Sequence, residues 1–241
     1  MKNMSVVEKK LNASALAFIA ILSAASYSSA QASGSSSNYV GVDGVYSSMK
    51  FREYYGDNIF NKKGIPGVNL FAGHMFNENW GFEAGYEVDK KMKRTETVTE
   101  GSTVAGVFLD PLLIDWASYN TFVKQHHSYL GAIAKTNFLG DNNFVSLMLG
   151  LSLSHVQIKQ HLFQSEAGSE NVTRTFSKTK LIPVIRASIE HKFNEQFGLR
   201  ALTGWKKTSK FNIKSEEAPS KSSEVKLKNT INIGLGVFYY I

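Results

Sequence analysis

The chain has 241 residues, with 27 Lys and Arg against 20 Asp and Glu and no cysteine. That length suits one domain, enough to bury a core or close a barrel, and the lack of cysteine excludes a disulfide framework and any thiolate metal site. A formal charge of +7 is too small an excess to argue for nucleic acid, although it is compatible with a polyanionic membrane surface.

Residues 1–32 have the pattern of a cleaved signal peptide. Lys2, Lys9 and Lys10 form a basic start, Leu11 to Ala25 form a short Ala-rich apolar core, and Ala30-Gln31-Ala32 supplies an A-x-A cleavage site, with Ala30 as a second cut point. The apolar run is shorter than the roughly 20 residues that a helix needs to cross a bilayer. The segment carries three lysines and Glu8, so residues 33–241 keep a formal charge of +5 out of +7. A Ser/Gly-rich spacer, Ser33 to Ser37, follows.

From there to the last residue, apolar and polar side chains alternate with a period of two, the signature of strands with one apolar and one polar face. Eight predicted strands cover approximately Asn38–Arg52, Ile65–Asn77, Asn79–Arg94, Phe122–Phe138, Phe144–His161, Thr179–Phe193, Phe197–Phe211 and Ser223–Ile241. A helix is entertained only around Val107–Ser118. Links two-three, four-five and six-seven are the short turns "NEN", "LGDNN" and "NEQ", while the other four run from about eleven to twenty-seven residues. In an up-and-down meander this alternation puts every short turn at one end and every long loop at the other, the asymmetry of barrels that cross the outer membrane.

The faces agree with that reading. Val145, Leu147, Leu149, Leu151 and Leu153 share one side of the fifth segment, and Ser146, Met148, Gly150, Ser152 and Ser154 the other. The sixth sets Ile185, Ala187 and Ile189 against Arg186, Ser188, Glu190 and Lys192, and the eighth sets Ile231, Ile233, Leu235, Val237, Tyr239 and Ile241 against Thr230, Asn232, Gly234 and Gly236. An eight-stranded barrel has an interior only wide enough for side chains. Large apolar groups from every strand would overpack it, so the Gly/Ser-rich face belongs inside and the apolar face against lipid. The predicted architecture is all-β, a closed antiparallel eight-stranded transmembrane barrel.

The stretches "GHMFNENWGFEAGYE" (Gly73–Glu87), "IPVIRASIEHKFNEQFGLRA" from Ile182, and the ending "INIGLGVFYYI" resemble the small OmpA-like, OmpX-type outer-membrane β-barrels of Gram-negative bacteria. The resemblance spans nearly all of residues 33–241 and implies the fold more firmly than an activity. It implies an assembly signal at Ile233, Leu235, Val237, Tyr239 and Ile241, read by the barrel-assembly machinery, although the final residue is Ile rather than the family's usual Phe. It also implies the barrel alone, without a peptidoglycan-binding domain.

Charged residues on the polar face are Asp43, Glu83, Glu87, Lys135, Arg186, Glu190, Lys192 and Arg200, and they are predicted to pair within the lumen. The core of that network is Glu83, Glu87, Arg186, Glu190 and Arg200. A salt-bridged plug suits eight strands better than a narrow ion path. His126-His127-Ser128 begins the fourth segment near the external rim and sets a hydroxyl beside two histidines, but it is a weak motif, and no catalytic, cofactor or metal residue is assigned. His155 and His161 approach the same rim; His74 and His191 fall on the apolar face near turns. The basic-leaning loops Asp89–Glu100 and Lys206–Lys228 are candidates for contact with lipopolysaccharide phosphates or host polyanions. The apolar segment Val104–Tyr119 could cap the barrel, rest on the membrane, or gate a hydrophobic ligand. Pro183 should require a bulge near the outer rim.

The expectation is therefore an outer-membrane monomer, exported through its signal peptide. It would be non-enzymatic, envelope-structural and adhesive to host surfaces through its loops. It would contact membrane lipid and lipopolysaccharide, with no cofactor and no nucleic acid. A narrow channel, a hydrophobic-ligand conduit and a lipid-A-modifying enzyme are the alternatives.

Overall fold

The computed structural model describes residues 37–53, 60–99, 103–104, 107–108, 116–164, 172–207, 210–214, 222–227 and 229–241. The predicted signal peptide, within residues 1–36, lies outside them.

The described elements are all strands: β1 (Ser37–Glu53), β2 (Phe60–Met75), β3 (Trp80–Asp89), β4 (Met92–Thr99), β5 (Thr103–Val104), β6 (Val107–Phe108), β7 (Trp116–Asn137), β8 (Asn143–Gln164), β9 (Val172–Lys192), β10 (Phe197–Lys206), β11 (Lys210–Lys214), β12 (Ser222–Leu227) and β13 (Thr230–Tyr240). Antiparallel pairing runs β1–β2–β3–β7–β8–β9–β10–β13 and returns to β1, closing an eight-stranded barrel. The helix entertained around Val107–Ser118 is not seen where that segment is described: Val107–Phe108 pairs with β5, and Trp116 already begins β7. Residues 105–106 and 109–115 of the apolar Val104–Tyr119 segment lie outside the described residues.

The apolar face looks outward. Leu147, Leu149, Leu151 and Leu153 are 45–55% exposed, and Leu235 reaches 73%. An uninterrupted band of this kind suits hydrocarbon, where every backbone group is satisfied by the closed ladder. Ala84 and its row neighbour Ala72 are exceptions on that face, both short and both buried, in the row that runs on to Leu130. Phe76, Trp80, Phe138, Phe193 and Phe197 are exposed at the short-turn end, forming one aromatic girdle. His74 joins it, its ring 5.1 Å from that of Phe76 and its Nδ1 2.7 Å from Asn38 Oδ1, while His191 sits edge-on to Phe193.

Two of the short turns use one device. Asn77 Oδ1 accepts from the backbone N–H of Asn79 and Trp80, each at 2.9 Å, and Asn194 Oδ1 accepts from Gln196 and Phe197 at 2.9 and 2.7 Å. An Asn at the first position mimics a backbone carbonyl and closes the turn. The "LGDNN" turn instead needs positive φ at Leu139 and Gly140.

At the other end the strands outrun the membrane. β7 and β8 have 22 residues each, about twice the roughly 9–11 that a tilted strand needs to cross. The outer parts form two lobes. β4, β7, β8 and β9 make one; β1, β2, β11 and β12 make the other. Two prolines mark where the lobes part. Pro183 O accepts from Lys207 N–H one residue beyond the last β9–β10 pair, Val184↔Lys206, and Pro66 O accepts from Lys90 N–H one residue beyond the last β2–β3 pair, Gly67↔Asp89. In an antiparallel strand a residue's N–H and C=O face the same neighbour. The missing N–H of each proline therefore faces a side where the ladder has ended. The bulge expected at Pro183 does not form, because β8–β9 register runs unbroken through Leu151↔Pro183.

Candidate functional site

The period of two that turns Leu and Ile outward turns charge inward, and closure brings distant strands face to face. Among the described residues, five carboxylates (Asp43, Glu83, Glu87, Asp89 and Glu190) and four cations (Lys135, Arg186, Arg200 and Lys206) are buried. Charges that leave water must be paired and hydrogen-bonded. The lumen arranges them in three layers.

In the middle layer Arg200 makes a bidentate pair with Asp43, Nε to Oδ1 at 2.9 Å and Nη2 to Oδ2 at 2.7 Å, and its Nη1 donates to Glu83 Oε2 at 2.7 Å. Glu83 also accepts from Tyr39 and Tyr129 at 3.1 and 2.9 Å, and Asn69 Nδ2 donates to Asp43 at 2.7 Å. The two arginine planes lie on aromatic rings, Arg200 3.5 Å from the Phe71 centroid and Arg186 3.9 Å from that of Tyr129. Guanidinium is suited to such stacking, because it is planar and weakly hydrated. Tyr39 and Tyr129 reach Glu83 because glycines lie beneath them. A Cβ at Gly73 would stand 2.1 Å from Tyr39 Cζ, and one at Gly85 2.3 Å from Tyr129 Cζ.

The layer towards the short turns joins Lys135 to Glu190 in an ion pair and to Tyr240 at 2.8 Å, with Ser146 and Ser188 donating to Glu190 at 3.2 and 3.1 Å. Lys192 stacks its ammonium 4.1 Å from the Tyr240 centroid. The layer towards the long loops centres on Glu87. It accepts from Arg186 at 2.6 Å, pairs with Lys206, and lies 3.4 Å from Asn232 Nδ2. All eight inward charges expected from the sequence lie on the lumen side, and Glu83, Glu87, Arg186, Glu190 and Arg200 each belong to one of these layers.

Asp89, Lys206 and His127 complete the upper layer and were read differently from sequence, the first two as the beginnings of loops. Alternation does run on to them, since Val88 and Trp205 face outward. His127 is buried beside Asp89, Nε2 to Oδ2 at 3.9 Å, and Ser47 Oγ donates to Asp89 at 3.4 Å. Glu87, Asp89 and His127 each offer a ligand atom within 4.8 Å of the others. Lys206 and Arg186 already hold both oxygens of Glu87, which makes the group part of the ion-pair network before it is a cation site.

The His126-His127-Ser128 triplet does not act as a unit, because neighbours on a strand face opposite ways. His127 is inside; His126 and Ser128 are outside. His126 stacks on His155 with rings 5.3 Å apart and 4° from parallel, and His161 sits edge-on to Phe122 at 5.4 Å. At the chain's end, Ile233, Leu235 and Val237 face outward, Tyr239 packs 4.8 Å from Phe197, and Ile241 is exposed, its N–H donating to Asn38 O.

Arg200 on β10 reaches β1 and β3, Arg186 on β9 reaches β3, and Lys135 on β7 reaches β9 and β13. The lumen is thus crossed at three levels, with a small cavity between Glu83, Ser146, Arg186 and Arg200. The arrangement binds wall to wall and fills the space that a solute would need.

The family model described as "outer membrane protein beta-barrel domain" matches residues 14–239. Among solved structures, the outer membrane protein OprG from Pseudomonas aeruginosa aligns with TM-score 0.52 and 10% identity over 86% of this chain and 96% of its own. The attachment invasion locus protein Ail of Yersinia pestis aligns with TM-score 0.43 and 18% identity over 85% and 99%. The outer membrane protease OmpT from Escherichia coli gives 0.48 and 10% over 87% and 98%. At such identities the likeness concerns the fold. No curated protein sequence matches the chain.

Proposed function

The chain belongs to the outer-membrane β-barrel family and its place is the outer membrane; from that premise we propose that it is a non-enzymatic surface barrel whose projecting strands and loops adhere to host surfaces. The observation that carries the reading is the division of labour along the strands. Inside the membrane the lumen is closed by ion pairs. Outside it β7, β8 and β9 continue for about ten residues as a shaped sheet with its own buried apolar side chains, Met92, Val123, Val156 and Ile158. An envelope-structural barrel has no need to build and pack such an extension, whereas a contact surface does. The split histidine triplet weighs against a lipid-A-modifying enzyme built on His126–Ser128.

On this reading the protein is a monomer. Residues 1–32 direct its export, the alternating Ile233–Ile241 ending is read by the barrel-assembly machinery, and the outward leucines meet membrane lipid while the wall above them meets lipopolysaccharide. The test is a truncation that spares the barrel. Residues 160–174, beyond the Lys159↔Thr175 pair, are replaced by Asn-Gly, and binding of expressing bacteria to epithelial cells is counted. Binding should fall severalfold with surface expression intact; unchanged binding removes the adhesive role from this lobe.

A further inference from the structure

Strand register fixes how side chains are stacked on the outer wall of the β4–β7–β8–β9 lobe. Tyr86, Ser128, Leu153 and Leu181 form one row across it, and Val88, His126, His155 and Thr179 the next. Above these come Lys124, Gln157 and Ser177, then Lys93, Phe122, Lys159 and Thr175. The composition changes abruptly between rows. Leu130, Leu151, Leu153 and Leu181 below are exposed apolar groups, and Lys91, Lys93, Lys124 and Lys159 above are exposed cations. No carboxylate stands in these rows among the described residues.

The lysines are also gathered together. Lys91 Nζ lies 4.0 Å and Lys93 Nζ 5.8 Å from the centroid of the Phe122 ring, whose Cα partner on β8 is Lys159. Lys124 lies one outward-facing position away on β7. Two like charges over one ring, with two more at adjacent outward positions, repel one another unless an anion lies among them. Their height says which kind. Each two-residue step along a tilted strand rises roughly 5 Å, so Lys124 and Lys93 stand about 5–10 Å above Val88, near the top of the roughly 5–8 Å headgroup layer.

We propose that this wall is a lipid-binding site for the phosphate groups of lipopolysaccharide: the lysines Lys91, Lys93, Lys124 and Lys159 hold the phosphates and the leucines beneath them hold the acyl chains. The proposal rests on the reading that the barrel stands in the outer membrane, and it adds a defined site to it. Free phosphate lacks the apolar half of the contact, and an acidic host polymer would have no use for the leucine rows. The juxtaposition of the two selects an amphiphile.

The test uses the full mature chain, refolded in detergent micelles and titrated with lipid A, with bound lipid counted by native mass spectrometry. Bisphosphorylated lipid A should bind the wild type well above its dephosphorylated form, and 10 mM inorganic phosphate should not displace it. In the combined variant Lys93→Gln, Lys124→Gln, Lys159→Gln the preference should drop by about a hundredfold, at roughly fivefold for each juxtamembrane cation. The matching Lys→Arg variant should keep it. Equal binding of the two lipid forms to the wild type, or an unchanged preference in the Gln variant, overturns the site. The heat-dependent shift in gel mobility, followed on the same samples, reports the barrel separately: a shift without lipid preference rejects this site alone, whereas no shift in the wild type rejects the membrane barrel itself.

Discussion

Arg200 and Asp43 are 157 residues apart in the chain and meet inside the barrel as a bidentate pair, with 2.9 and 2.7 Å between donor and acceptor. Neither is accessible to water. Closure of the ring, which sets β13 between β1 and β10, is what allows the pair to exist.

Removing Arg200 should therefore be felt throughout the barrel. Arg200→Met leaves Asp43 and Glu83 buried without their main cation, which costs about 3–5 kcal/mol when one partner of a buried pair is lost. Urea unfolding in lipid vesicles should show the midpoint falling sharply. Adding Asp43→Asn should recover part of the loss, and strict additivity of the two changes would contradict the coupling.

Gly85 and Gly44 make a paired test of close approach. A Cβ at Gly85 meets Tyr129 Cζ at 2.3 Å, whereas one at Gly44 finds nothing nearer than Leu235 O at 3.8 Å. Gly85→Ala should cost roughly 1–3 kcal/mol through overpacking, and Gly44→Ala should be close to neutral. The two unfolding curves compared under one condition decide the matter; equal midpoints would show that Tyr129 yields freely.

Pro183 should be replaceable. Its absent N–H faces the side where the β10 ladder has ended, so Pro183→Ala should change stability little. Val184→Pro moves the ring one residue on, where the N–H faces β8 at the Gly150↔Val184 pair of an unbroken ladder, and should cost about 3 kcal/mol or fail to fold. If Pro183→Ala proved as damaging as Val184→Pro, the placement of the proline at the ladder's end would be wrong.

The lumen should not pass large solutes. Planar bilayers containing the protein should lack stable conductance of porin magnitude, and Arg186→Ala with Arg200→Ala should raise small, brief openings by removing two of the groups that cross the interior. Porin-sized steps in the wild type would contradict the three-layer plug. Equally, His127→Ala should leave lipid-A mass spectra unchanged, since His127 points into the lumen and away from lipid; an altered lipid A would reopen the enzymatic reading.

Much of the fold can be read from alternation, because a strand in a closed barrel has only two environments and they differ in polarity. Leu147 to Leu153, Ile231 to Val237 and the inward set around Arg186 declare their faces without further information. The turns declare themselves too, because Asn77 and Asn194 stand where an Asx turn needs them. Asp89 and Lys206 were hidden by their neighbours. Asp89-Lys90-Lys91 and Lys206-Lys207 look like solvated loop entries, though parity from Val88 and Trp205 carries both inward. The outer part of β9 was hidden for the opposite reason, since Thr173, Thr175, Ser177 and Thr179 give it no apolar face to recognise. Which charges meet was not legible at all. Pairing depends on the stagger with which the barrel closes, a property of all eight strands together.

The most direct test of the account is the electrophoretic mobility of the protein from outer-membrane fractions, with and without boiling. A closed barrel with its apolar face in lipid should resist detergent unheated and run ahead of its mass, then shift to the position of the unfolded chain after heating. A single band with unchanged mobility, recovered from the soluble periplasmic fraction, would contradict both the outward apolar face and the membrane in which the rest of the account is set.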